Sequence, residues 1–266
     1  MKKLLYLFVA ALTLSFTACI DSEEKISLKE DGSGTYKITM DMSKMISMLS
    51  AFGVDEKKKI EKKDTVIYFK DYADTSTTLT AEEKEIMRTG KLTVNMDSEK
   101  GEMKIVMDAL FKNASQLSYL RTNLQDMVRK TKAMDKLNDK KEDKSAEGGT
   151  DGMDMTPKMG APKSNVNPFK DYYEFKATAN SLSYVVKDKA AAMKALETNE
   201  DLQMMKKMAP MMGDMSFSTV IELPKTAKKV EGVNAKLSDD KKTVTIATTF
   251  KQIFANLDAM AFKVEY

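Results

Sequence analysis

Histidine and tryptophan are absent from this 266-residue chain, and cysteine occurs once, at Cys19. Without imidazole there is no Ser-His-Asp or Cys-His catalysis and no histidine metal ligand. One cysteine cannot close an internal disulfide. The lack of indole weakens the case for a sugar-stacking platform. No G-x-G-x-x-G, no phosphate-loop motif and no calcium loop occurs. A two-carboxylate hydrolase would need a specific acid pair, and 40 scattered Asp and Glu single none out. The 43 basic residues nearly balance them, for a net charge of +3. That balance gives no case for nucleic acid, and the interspersed charges read as a solvated surface. We therefore expect a protein that is not an enzyme and carries no cofactor.

Long apolar runs are also missing. The best is residues 4–14, long enough for a secretory h-region and too short to span a bilayer. Lys2 and Lys3 precede it, and Phe16-Thr17-Ala18-Cys19 follows. This segment resembles the lipobox read by lipoprotein signal peptidase, with Phe16 where Leu is usual, in the looser form found in Bacteroidota. The resemblance implies removal of residues 1–18 and acylation of Cys19, whose several chains would anchor the protein firmly in a membrane. The alternative is a secretory signal followed by a buried free thiol. Residues 19–24 read as an acidic tether. Asp21, Ser22, Glu23 and Glu24 resemble the export tag that sends some Bacteroidota lipoproteins to the outer face of the outer membrane, and equally fit an ordinary solvated spacer. The expected location is the cell envelope, at the outer membrane.

Beyond the tether, alternation and punctuation divide the chain. Residues 25–137 form an N-terminal half, residues 138–168 a linker or long loop rich in Gly, Pro and charge, and residues 169–266 a C-terminal half. Residues 25–42 read as a hairpin around Asp31-Gly32-Ser33-Gly34. Met45, Met48, Leu49 and Phe52 then recur at helical spacing. Residues 65–72 are β-rich. Thr80 and Glu83 match a capping box opening a short helix. Residues 91–108 form a second hairpin. From about Asn113, the residues Leu117, Leu120, Leu124, Met127, Thr131 and Met134 make a narrow apolar helical seam, which we read as core. Residues 170–186 form a third hairpin, followed by a helix over 187–208 that Thr198 and Asp201 re-cap. Strands are expected at 217–223, 233–237, 244–250 and 262–266, with a short helix over 252–260.

A hairpin-then-helix unit thus recurs. Residues 34–41 (GTYKITMD) match residues 101–108 (GEMKIVMD) at Gly, Lys, Ile, Met and Asp. The fold class that follows is α+β: an antiparallel sheet built from repeated hairpin-plus-helix units, with helices packed on one face.

Methionine is abundant, with 22 residues, and clusters at Met204, Met205, Met208, Met211, Met212 and Met215. Three readings stand: soft Cu(I) ligands, flexible apolar filler, or an adaptable surface for hydrophobic ligands. Packing is favoured, because methionine serves as a core residue elsewhere in the chain.

Two segments resemble the LppM-type lipoprotein domain: the hairpin holding Asp31-Gly32-Ser33-Gly34, and Ile221-Glu222-Leu223-Pro224 followed by Gly232 and the 244–250 strand. The resemblance implies a membrane-anchored α+β domain with a role in binding lipids or glycolipids, and carries over no functional residue. The leading expectation is a binding module with a cavity between sheet and helices, taking a lipid-like or other hydrophobic ligand. Tyr36, Phe52, Tyr68, Phe69, Tyr173, Phe175 and Tyr184 are candidates to line it. The competing expectation is an interaction or scaffolding lipoprotein with no small ligand.

Overall fold

The computed structural model describes residues 21–43, 63–97, 100–131, 133, 169–200, 202–204, 206–207 and 215–266. Cys19, the helix expected at 45–52, Met134, the 138–168 segment, and Met205, Met208, Met211 and Met212 lie outside them. The fold is α+β.

The first hairpin pairs β1 (Asp21–Leu28) with β2 (Gly34–Asp41). Its turn needs Gly32 at φ 80°, where a side chain would be strained. Gly34 has no room for a side chain: a Cβ there would lie 2.1 Å from the Ser27 carbonyl oxygen and 2.4 Å from the Phe111 ring. β3 (Lys63–Tyr68) stops earlier than its β-rich composition suggests, because Phe69 starts a single helical turn, α1 (Lys70–Ala73). The capping box is present at α2 (Ala81–Met87): the Thr80 hydroxyl accepts from the Glu83 amide, and the Glu83 carboxylate accepts from the Thr80 amide. The second hairpin joins β4 (Lys91–Asp97) to β5 (Glu102–Phe111). In the long helix α3 (Ala114–Thr131), Leu117, Leu120, Leu124, Met127 and Thr131 of the expected seam are all buried.

β6 (Tyr173–Ala177) and β7 (Ser181–Val186) form the third hairpin. α4 (Lys189–Thr198) is capped by Asp188. The turn after it is re-capped by Asn199, whose Oδ1 accepts from the Leu202 amide, and not by Thr198. The chain continues as β8 (Ser216–Glu222), a short β9 (Lys229–Glu231) that periodicity does not reveal, β10 (Ala235–Leu237) and β11 (Thr243–Thr249). The helix expected at 252–260 is two pieces, α5 (Phe250–Ala255) with its own Thr249–Gln252 capping box, and a 3-10 turn Leu257–Met260. β12 (Phe262–Glu265) ends the chain.

These strands make two sheets, not one. The larger has the order β10-β11-β8-β1-β2-β5-β4-β3, and the smaller β6-β7-β12-β9. All ladders are antiparallel except β1 against β8, which run parallel. The two similar segments lie side by side in β2 and β5. Thr39 sits opposite Val106, its counterpart in the alignment, and Ile38–Met107 mirrors Met40–Ile105. A local twofold through the Thr39–Val106 pair therefore relates the two hairpins.

Asp21–Glu24 is not a tether. It is the first half of β1, hydrogen-bonded to β2 on one side and β8 on the other. In β5, Met103, Ile105, Met107, Ala109 and Phe111 are buried and alternate with residues that are not. One face of the large sheet therefore carries the core, and α2 and α3 pack on it. α3 also packs against β6, so it lies between the two sheets. A single hydrophobic cluster runs from Ile26 and Leu92 to Val244 and Val264.

Candidate functional site

The site forms where β1, β2, β8, α3 and the smaller sheet converge. Alternation in β1 puts Ser22, Glu24 and Ile26 on one face. Ile26 is fully buried, and Glu24 continues the same face toward the strand's start. On α3, Arg121 lies four residues after Leu117 and three before Leu124, at the edge of the apolar seam. The two charged residues therefore meet under cover, with side chains 15% and 8% exposed.

The pairing is bidentate. Arg121 Nε donates to Glu24 Oε1 at 2.5 Å and Nη2 to Oε2 at 2.7 Å. Tyr36 Oη donates to Oε1 at 2.7 Å, and Thr219 Oγ1 to Oε2 at 3.0 Å. Four donors thus saturate the carboxylate. Burial pushes the Glu24 carboxyl up, but the Arg121 charge and these hydrogen bonds outweigh it and leave it below its ordinary value. Arg121 is held above its usual range, because the attraction of Glu24 exceeds the cost of burial. The Tyr36 phenol is pushed well up by burial and by the Glu24 charge.

The guanidinium is also fixed by aromatic faces. Its Cζ lies 4.5 Å from the Phe175 ring centroid and 3.9 Å from that of Tyr184. Tyr184 stacks on Tyr173 at 4.7 Å, and the Tyr173 hydroxyl donates to the Leu257 carbonyl. Around this group is a cleft of about 310 Å³. Its walls include Ser22 and Ile38 from the large sheet, Leu124 from α3, Phe217 from β8, and Lys187 beyond β7. Glu24 engages Nε and Nη2 of Arg121 and leaves Nη1 outside the pair. A second, more open depression is lined by Val185, Gly232 and Phe262 together with the charged residues Glu231, Asp258 and Lys263.

Of the seven aromatic candidates, Tyr36, Tyr173, Phe175 and Tyr184 line the cleft. Tyr68 is elsewhere and 51% exposed, Phe69 is fully buried core against Gly90, and Phe52 lies outside the described residues. Periodicity does not single out Glu24 or Arg121. Cys19, the expected lipid anchor, also lies outside the described residues. Of the methionine cluster, Met204 is exposed and Met215 is buried. Among the described residues, no three His, Cys, Asp or Glu converge as a metal site, and no helix is long and apolar enough to cross a membrane.

The geometry defines an α+β protein with a polar-floored, aromatic-walled cleft. No family model matches the chain, and no curated protein matches it. Among solved structures, it is similar to the NMR structure of the folded domain of Mycobacterium tuberculosis LppM. The similarity covers 95% of this chain and 94% of that one, at 11% identity and a TM-score of 0.33.

Proposed function

We propose that this chain is a non-catalytic binding module, tethered to the bacterial cell envelope at the outer membrane through an acylated Cys19, whose cleft takes the polar end of a small amphiphile. The carrying observation is Arg121. Its Nε and Nη2 are engaged by Glu24, its guanidinium lies against the rings of Phe175 and Tyr184, and its Nη1 takes no part in the Glu24 pair. A guanidinium fixed in this way offers two preorganised N–H donors to a phosphate, carboxylate or hydroxyl group. Phe175, Tyr184 and Phe217 provide the apolar walls beside it.

Volume limits the ligand. About 310 Å³ is at the small end of ligand pockets, enough for a headgroup or a short chain and too little for a whole diacyl lipid. A binding role suits the site better than catalysis. Glu24 is ionised and saturated with donors, so it is a poor general base, and the raised Tyr36 phenol stays protonated.

The test is anisotropy titration of a fluorescent lysophospholipid against residues 21–266, which contain every described element. Ser22→Trp fills the cleft from its wall. Binding by the wild type that weakens at least tenfold in Ser22→Trp supports the reading. Equal binding by both, or none by either, overturns it in favour of a scaffolding lipoprotein. Anchoring is tested separately by metabolic labelling with an alkyne palmitate, which Cys19→Ser should abolish. Protection of the domain from protease in intact cells, with cleavage after lysis, would remove surface display.

A further inference from the structure

We propose that the cleft is held against the membrane carrying the protein's own anchor, and that its ligand is a lipid drawn from that same leaflet. This rests on the lipid-anchored, ligand-binding reading above, and two observations carry it further. The first is the lack of a spacer. β1 is described from Asp21, which is two residues after Cys19 in the sequence. Ser22 is in the cleft wall and three residues from Cys19, which places it within about 11 Å of the acylated residue even with the chain fully extended. The headgroup layer of one leaflet is itself roughly 5–7 Å thick.

The second observation is the register. β1 and β8 run parallel, with Ser22 opposite Phe217 and Glu24 opposite Thr219. All four of these residues line the cleft. The cleft is therefore built on the starting ends of two adjacent parallel strands, at the sheet end from which the anchor emerges. The opposite end of β1, at Ser27 and Leu28, contributes nothing to it. An anchor this short restricts the domain to a narrow zone above the bilayer and presents the cleft to lipid headgroups at high effective concentration.

The experiment uses the full lipidated protein in liposomes containing a photoactivatable phospholipid. It is compared with a variant carrying a Gly/Ser insertion of about twelve residues between Ile20 and Asp21. Such an insertion has an r.m.s. span of about 19 Å, against about 7 Å for the native two-residue link. Headgroups fill the plane of the leaflet, so only height above it dilutes the contact, by about the ratio of the two spans, roughly threefold. Photo-crosslinking to the wild type should therefore exceed that of the insertion variant by about threefold, with Ser22→Trp at background. In detergent micelles, where the lipid is not confined to the anchoring leaflet, the wild type and the insertion variant should label equally. Equal labelling of the two in liposomes overturns the proposal, leaving binding itself intact. No labelling of either in micelles overturns the binding reading and this inference with it.

Discussion

Removing Glu24 alone should be among the most damaging single changes in the cleft. In Glu24→Ala, Arg121 stays charged inside a site where its side chain is 8% exposed, and the Tyr36 and Thr219 hydroxyls lose their acceptor. Breaking one side of a buried ion pair costs about 3–5 kcal/mol. For a domain with about 5–15 kcal/mol of stability, that is a large fraction. Urea denaturation should show a lower midpoint with an unchanged m-value. Replacing both partners, as Glu24→Met with Arg121→Leu, removes the stranded charge and should recover part of the loss, leaving about 1–3 kcal/mol for the buried Tyr36 hydroxyl still without its acceptor, while ligand binding is lost with the guanidinium. The pH dependence has a definite sign. The folded-state Glu24 carboxyl lies below its ordinary 4.5, so on acidification the unfolded chain takes up a proton first. The pair's contribution is complete above 4.5 and is lost as pH falls through the depressed folded value. Glu24→Gln should flatten that part of the stability–pH curve. A Glu24→Ala cost under about 1 kcal/mol, or a Glu24→Gln curve that still falls as steeply, would refute this reasoning.

Other consequences follow from packing and capping. Thr80→Ala removes one half of the α2 capping box and should cost about 1 kcal/mol in the same denaturation assay. Gly34→Ala drives a Cβ into the Ser27 carbonyl and the Phe111 ring, and should cost upwards of about 3 kcal/mol or prevent soluble expression. Phe250, 1% exposed, meets the rings of Phe169, Phe217 and Phe254, so Phe250→Ala should cost about 3–5 kcal/mol by thermal or urea unfolding.

What could be read from the sequence was local. Alternation exposed the hairpins because each strand has one buried face, as in Met103, Ile105 and Met107. The Thr80–Glu83 pair identified its helix because a capping box is a contact made within four residues. The parallel β1–β8 ladder joins residues 195 positions apart, as Ser22 and Phe217 are, and no local signal reports it. β9 is three residues long, too short for alternation to show. The acidic run hid Glu24: three acids in a row of four look like a solvated spacer, yet Glu24 shares the parity of buried Ile26. Arg121 sits on the rim of the Leu117–Leu124 seam, where a long charged side chain usually reaches out to water. Taken together, an acid extending a buried strand face and an arginine at the edge of a buried helix face were the available signal for this pair. The second sheet was not legible, because β6, β7 and β12 alternate just as the strands of the larger sheet do.

Whether the cleft around Arg121 holds an amphiphile is decided by a native mass spectrum of residues 21–266 taken after incubation with envelope lipid extract. The expected result is an added mass of lipid size on the wild type that is missing from an equally stable Ser22→Trp variant. A bare protein mass for both, at lipid concentrations that saturate other lipid-binding proteins, would contradict it.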